Sequence, residues 1–120
     1  MLRLFSRLFS QSQHVRALEQ APHAIVSVNE QGQVTFFNAA AEQLWGYNRA
    51  DVVGQPSSRL FPASDLHAVI GANGRPREVQ LTGASGRAFW AELAASQEPG
   101  SQSRKRTVFV RNITSERYAR

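Results

Sequence analysis

The sequence predicts an α+β domain built on an antiparallel sheet. Two strand-like runs, AIVSV and QVTFF, open the domain around a short polar turn. Three more, REVQLTG, AFWAELAAS and RTVFVRNI, close it, and an alanine-rich helix lies between the two groups. Strands gathered at both ends with helix in the middle lack the βαβ alternation of a parallel sheet. The 120 residues suffice for one domain with one core. A chain 42% hydrophobic and 19% charged has the balance of a folded protein, not a disordered one.

The elements follow in order. RLFS repeats at residues 3–10, and its period of four sets Leu4 with Leu8 and Phe5 with Phe9 on one helical face, Arg3 and Arg7 beside them. Val15 and Leu18 continue that face, so residues 2–20 are predicted to form an amphipathic helix ending before Pro22. Three uses compete for it: docking on its own domain, pairing with a second subunit, or lying on a membrane surface. Pairing is favoured, through Leu4, Phe5, Leu8, Phe9, Val15 and Leu18. AIVSVNEQGQVTFFN then reads as a hairpin, with strands at 24–28 and 33–37 and the turn at Asn29–Gly32. Asn38 is predicted to cap a helix over Ala39–Trp45 that stops at Gly46, and Asn48 to cap a shorter turn over Arg49–Val53, closed by Gly54. Residues 55–76 are loop broken by Pro56, Pro62, Gly71, Gly74 and Pro76, with helical character only in DLHAVIG at 65–71.

The last three strands are expected at 77–83, 88–96 and 106–113, the first two joined by Ala84-Ser85-Gly86-Arg87. Alternation sends Phe89, Leu93 and Ala95 to one sheet face and Trp90 and Ala94 to the other; Val108 and Val110 likewise oppose Phe109. Both faces carry large apolar groups, so both are expected to be covered. The middle helices can cover one, and the N-terminal helix is the obvious cover for the other.

Composition narrows the chemistry. With no cysteine there is no disulfide, thiolate metal site or cysteine nucleophile. The net charge of +5 is scattered, its only tight run being Arg104-Lys105-Arg106, which reads as a solvated loop rather than a phosphate-binding patch. No apolar run reaches the ~18 residues of a membrane span, and MLRLFSRLFSQSQ lacks the apolar core of a signal peptide, so a cytoplasmic location is expected. Glu30, Glu42, Asp51, Asp65, Glu78, Glu92 and Glu98 are dispersed without pairing, Ser27 and Ser85 lack a nucleophile-elbow setting, and the glycines form no phosphate loop. No catalysis is expected, and no metal site.

The motifs AIVSVNEQGQVTFFNAAAEQLWGYNRADVVGQ, G-R-x-FW-AEL at 86–93 and VRNITSER at 110–117 resemble the PAS domain, the sensory module of bacterial signalling proteins. The resemblance spans roughly residues 17–117 and implies a five-stranded antiparallel sheet cradling a pocket, with short helices over one face and no chemistry of its own. The domain reading is thus an N-terminal helix at 1–20, a PAS domain at 21–114 and, at 115–120, the start of a helix leading to an output domain in the same chain. In the family the last strand commonly ends in a D-I-T-like triplet that couples the sheet to a downstream coiled coil. Here the triplet is Asn112-Ile113-Thr114, with asparagine in place of aspartate.

The resemblance also implies a pocket lined by Phe37, Leu44, Trp45, Leu60, Val69, Phe89, Leu93, Val108 and Val110. The expected function is that of a homodimeric sensor taking a small ligand or passing signal through its dimer interface. ALEQ, FFN-x-AAE-x-LWGY and VG are similar to the haem-binding PAS subgroup of oxygen-sensing cyclic-di-GMP phosphodiesterases. That similarity makes haem an alternative, with His67 as axial ligand, although the segment from Gly54 to Arg77 is about a turn or more short of those relatives. His14 and His23 read as interfacial or exposed. Flavin is a lesser alternative, for which Trp45, Trp90 and Asn38 have suitable side chains; a small organic ligand, or none, is preferred. A ligand-free interaction module is the remaining reading. Neither nucleic acid nor a membrane span is expected among its partners.

Overall fold

The structure, a computed structural model, describes residues 22–62, 76–96 and 106–118. The N-terminal amphipathic segment with its pairing positions, the DLHAVIG segment with His67 and Val69, and Arg104 and Lys105 lie outside the described residues.

Strands β1 (Ala24–Val28) and β2 (Val34–Phe37) are followed by helices α1 (Ala39–Trp45) and α2 (Arg49–Val52) and a 3-10 turn at Ser57–Arg59. Strands β3 (Arg77–Thr82), β4 (Ala88–Ser96) and β5 (Arg106–Asn112) then lead into α3 (Thr114–Tyr118). The five strands form one antiparallel sheet in the order β2-β1-β5-β4-β3. The first and last strands in sequence are therefore neighbours, which closes the chain on itself and joins the two groups of strands.

Burial follows the pleat in β3 and about Phe109 of β5, whereas in β1 Ile25 is buried on the opposite face from Ala24 and Val26. Val26, Val108 and Leu93 from three adjacent strands are completely buried on one face, with Ala24, Val28, Val79, Leu81, Ala91 and Val110 around them. Phe89 and Ala95 pack against this cluster as their alternation with Trp90 and Ala94 requires. The register in β2 shifts once. Val26 faces Phe37 and Ser27 faces Phe36, but Val28 faces Val34, so Thr35 is the extra residue of a bulge. Three residues apart, Val34 and Phe37 would otherwise point to opposite faces; the bulge puts both in the core. Beyond β2 the chain folds back along its free edge, where the Val34 N–H donates to the Gln55 carbonyl at 2.9 Å and the Gly54 N–H to the Val34 carbonyl at 2.7 Å. An edge strand paired in this way is not left open to other chains.

Helix α1 lies on the inner face because Ala41 and Trp45, one turn apart, are both buried there. The small Ala41 lets the backbone approach the sheet, and Trp45 fills the space at the helix end. Asn38 fixes the start of α1. It is fully buried, and its Oδ1 accepts from the Ala41 N–H at 3.0 Å and the Ile25 N–H at 2.9 Å while its Nδ2 donates to the His23 carbonyl at 3.0 Å. One side chain thus caps the helix and ties it to the beginning of β1. Gly46, at φ 82°, ends α1 in the left-handed conformation, its N–H donating to the Glu42 carbonyl.

The next cap differs from expectation. Asn48 makes no side-chain cap to α2; instead the Glu42 Oε2 accepts from the Arg49 N–H at 2.8 Å. A carboxylate is the stronger acceptor, and it reaches across from α1. Helix α2 also stops at Val52, with Val53 as its cap.

Candidate functional site

The residues in the middle of the core form an aromatic group around Trp45. Its ring centroid lies 5.6 Å from Phe37, 5.6 Å from Phe61 and 6.0 Å from Phe89, the last two edge-to-face. Trp45 is only 2% exposed, and its indole Nε1 has no hydrogen-bond partner. A buried donor left without an acceptor costs free energy, of order 1–3 kcal/mol, and marks the position as unusual.

Trp45 also borders an open groove of 510 Å³ with Leu44, Gly83, Ala84, Ala88 and Phe89. The groove lies where the end of α1 meets the β3–β4 turn. There the two elements are closely fastened: the Ala84 N–H donates to the Trp45 carbonyl at 2.7 Å. Gly83 permits this approach, since a Cβ at that position would meet the Trp45 carbonyl oxygen at 2.7 Å. A smaller groove of 250 Å³ continues past Gln43, Leu44 and Asn112 toward His23 and Val110.

The structure places Phe37, Trp45, Leu60, Leu93, Val108 and Val110 in a single buried cluster, with Leu44 and Phe89 half-buried against it. Val69 and His67 are outside the described residues. Sequence reasoning missed Phe61, which is fully buried on the edge of Trp45. The signal was the adjacent pair Leu60-Phe61 between Pro56 and Pro62, an apolar step inside a loop. Trp90 and Trp45 do not share a pocket, because Trp90 projects from the outer face of β4, and Asn38 spends its amide on the α1 cap.

A second arrangement joins the sheet to α3. The Ile113 N–H donates to the Trp90 carbonyl at 2.9 Å, and the Trp90 N–H donates to the Thr114 hydroxyl at 3.0 Å. Asn112 Oδ1 accepts from the Thr114 N–H at 3.0 Å, the contact an aspartate oxygen would make there. Arg111 Nη1 donates to Glu116 of α3 at 2.7 Å and Nη2 to Glu92 of β4 at 3.4 Å. The hydrogen bond that the guanidinium donates to Glu92, then the one to Glu116, hold it above its ordinary pKa, so it stays charged.

Among the described residues, no His, Asp and Glu side chains gather into a group that could hold a metal ion. His23, the histidine they include, is exposed. No described helix is long and apolar enough to cross a membrane.

Comparison with known proteins accounts for this architecture. The chain is 36% identical over 94 residues to the oxygen sensor protein DosP of Escherichia coli, a match covering 68% of the chain and 12% of DosP. It is 38% identical over 53 residues to the signal transduction histidine-protein kinase AtoS of the same organism, covering 44% of the chain and 9% of AtoS. It therefore spans only a small part of the length of either relative. Among solved structures, the PAS domain of a protein from Colwellia psychrerythraea superposes with a TM-score of 0.73 at 25% identity, over 88% of this chain and 98% of that one. The family described as the PAS fold matches residues 12–116, from ahead of β1 into α3. The chain belongs to the PAS family, the sensory domains of signal-transduction proteins.

Proposed function

We propose that this chain is the input module of a bacterial signalling protein, taking a small ligand beside Trp45 and passing the signal through a homodimer interface to an output domain. The observation that carries the reading is the similarity to the oxygen sensor DosP along 68% of the chain. The fold agrees in its division of labour. The inner face holds an aromatic core beside a groove, whereas the outer face keeps Phe109 40% exposed. In this reading the module does no chemistry of its own. The dimer forms through the outer face and the apolar positions of the N-terminal segment, and signal leaves by the strand that ends in Asn112-Ile113-Thr114.

A haem-based sensor is the second reading, favoured by that same relative's being an oxygen sensor. Of the three histidines His23 is exposed, and this reading takes His67, outside the described residues, as the axial ligand. The test is a visible absorption spectrum of the purified protein, repeated after adding haem, together with its mass by light scattering. A colourless dimer that takes up no haem is expected. A Soret band that disappears in His67→Ala would replace the first reading with the second, and a colourless monomer would leave the homodimer without support.

A further inference from the structure

We infer that the stretch of sequence just ahead of β1 lies over the outer face of its own domain, with Val15 and Leu18 covering Ile25. Leu4, Phe5, Leu8 and Phe9 are then left, with Phe109, to meet a second copy. The assignment of those four rests on the homodimer reading; the cover over Ile25 does not.

Ile25 is buried where no described element covers it. It is 3% exposed, yet it stands apart from the inner core cluster that takes Ala24, Val26 and Val28 of the same strand. Around it on the outer face are Phe109, its partner in β5 and 40% exposed, and Phe36 of β2, half-buried opposite Ser27. Side chains on a strand stand roughly perpendicular to the sheet, so such neighbours shield the flanks of Ile25 and leave its tip in water. Of the described helices, α1 meets β1 from the inner face, α2 lies against β2 and α3 against β4. None of them reaches the outer side of β1.

Connectivity narrows the cover to one segment. Residues 63–75 leave the chain next to Phe61, which is buried on Trp45 in the inner core, and rejoin it at β3, on the far edge of the sheet. Residues 97–105 join β4 to β5, and Arg106 pairs with Val28 at the opposite end of β1 from Ile25. Residues 119–120 follow α3, beside β4. The sequence ahead of β1 enters at Ile25's own end. The chain bends at Pro22 and His23, and the inner side is taken there by the start of α1, where Asn38 Nδ2 donates to the His23 carbonyl at 3.0 Å. Ala21, Pro22 and His23 together reach about 10 Å, the spacing at which a helix packs on its neighbour. Val15 and Leu18, three apart, share one face of the predicted helix, and that face comes back over Ile25. So short a tether favours this segment over the same segment of a second copy.

A double-mutant cycle in the full chain tests this. Leu18→Ala and Ile25→Ala should each lower the ratio of folded to unfolded chain in denaturant melts. The double variant should lose about fivefold less than the two single losses multiplied, because touching residues are coupled. Leu4→Ala, about 21 Å along a helix from Leu18, should show no coupling to Ile25→Ala. Diluting the protein should leave the coupling unchanged. If the losses of Leu18→Ala and Ile25→Ala multiply to within about twofold, this segment is not the cover and the inference is wrong. A coupling that disappears on dilution would assign the cover to the second copy and overturn it equally. A wild-type chain that is monomeric by light scattering and keeps the coupling would remove the homodimer reading and leave the cover in place. The chain has no cysteine, so Ile25→Cys gives a second reading where the alanine variants do not fold. Its thiol should be protected from a soluble thiol reagent, remain so with Leu4→Asp, and become reactive with Leu18→Asp. A thiol that reacts at one rate with and without Leu18→Asp would also overturn the inference.

Discussion

The two faces of the sheet are made by the same strands and behave as different molecules. Along β5, Val108 is 0% exposed, Phe109 40% and Val110 1%. On the inner face, valines, leucines and aromatics close on α1, and among the described residues Asn38 is the buried polar side chain. On the outer face, Phe109 stands in a sheet surface that also carries the Ser27–Thr107 hydroxyl pair and the Arg111–Glu92 ion pair. The exposed ion pair adds little to holding one chain together, but Ile25, which pairs with Phe109 on this face, is 3% exposed, so the face is buried in part. The difference shows where each kind of constraint operates. The inner face is committed to the fold and, in the proposed reading, to the ligand, whereas the outer face retains side chains free to engage a partner.

Substitutions on the two faces should separate these roles. The largest effect is expected at the centre of the inner face, where Trp45→Ala removes the ring that Phe37, Phe61 and Phe89 pack against. Denaturant melts should show a loss of about 3–5 kcal/mol. A loss below about 1 kcal/mol would mean that the aromatic group is not the centre of the core. Next comes Asn38→Ala, which strands the Ile25 and Ala41 N–H groups and the His23 carbonyl together. Its expected cost is about 2–3 kcal/mol, more than the ~1 kcal/mol of an ordinary exposed cap, because two of its three bonds are buried. A loss typical of an exposed cap would show that the tie between α1 and β1 contributes nothing.

The same contrast explains what the sequence made legible. Strands β3, β4 and β5 were readable because period-two alternation is a local signal, and α1 because Asn38 and Gly46 bracket it. Phe37, Trp45, Leu60, Leu93, Val108 and Val110, named from the family pattern as pocket lining, are core positions. What escaped was set by contacts distant in the chain. The β2 bulge exists because Val34 and Phe37 must both face inward; the α2 N-terminus uses Glu42 from the preceding helix rather than the adjacent Asn48. Gly83 reads in the sequence as the last residue of a strand over 77–83, but its missing Cβ is what lets the β3–β4 turn meet the Trp45 carbonyl. The unpaired Trp45 Nε1 is visible only once the surrounding rings are in place.

The smallest effect on stability, and the greatest on assembly, is expected at Phe109. Phe109→Asp should cost about 1–2 kcal/mol in denaturant melts, since the side chain is already 40% exposed. The measurement that bears most directly on the account is the mass of this variant by light scattering, set beside that of the wild-type chain. A wild-type dimer and a folded monomeric variant would establish the outer face as the surface through which two copies meet. A variant that remains dimeric, or a wild-type chain that is already monomeric, would contradict the division of the sheet into a face for folding and a face for pairing.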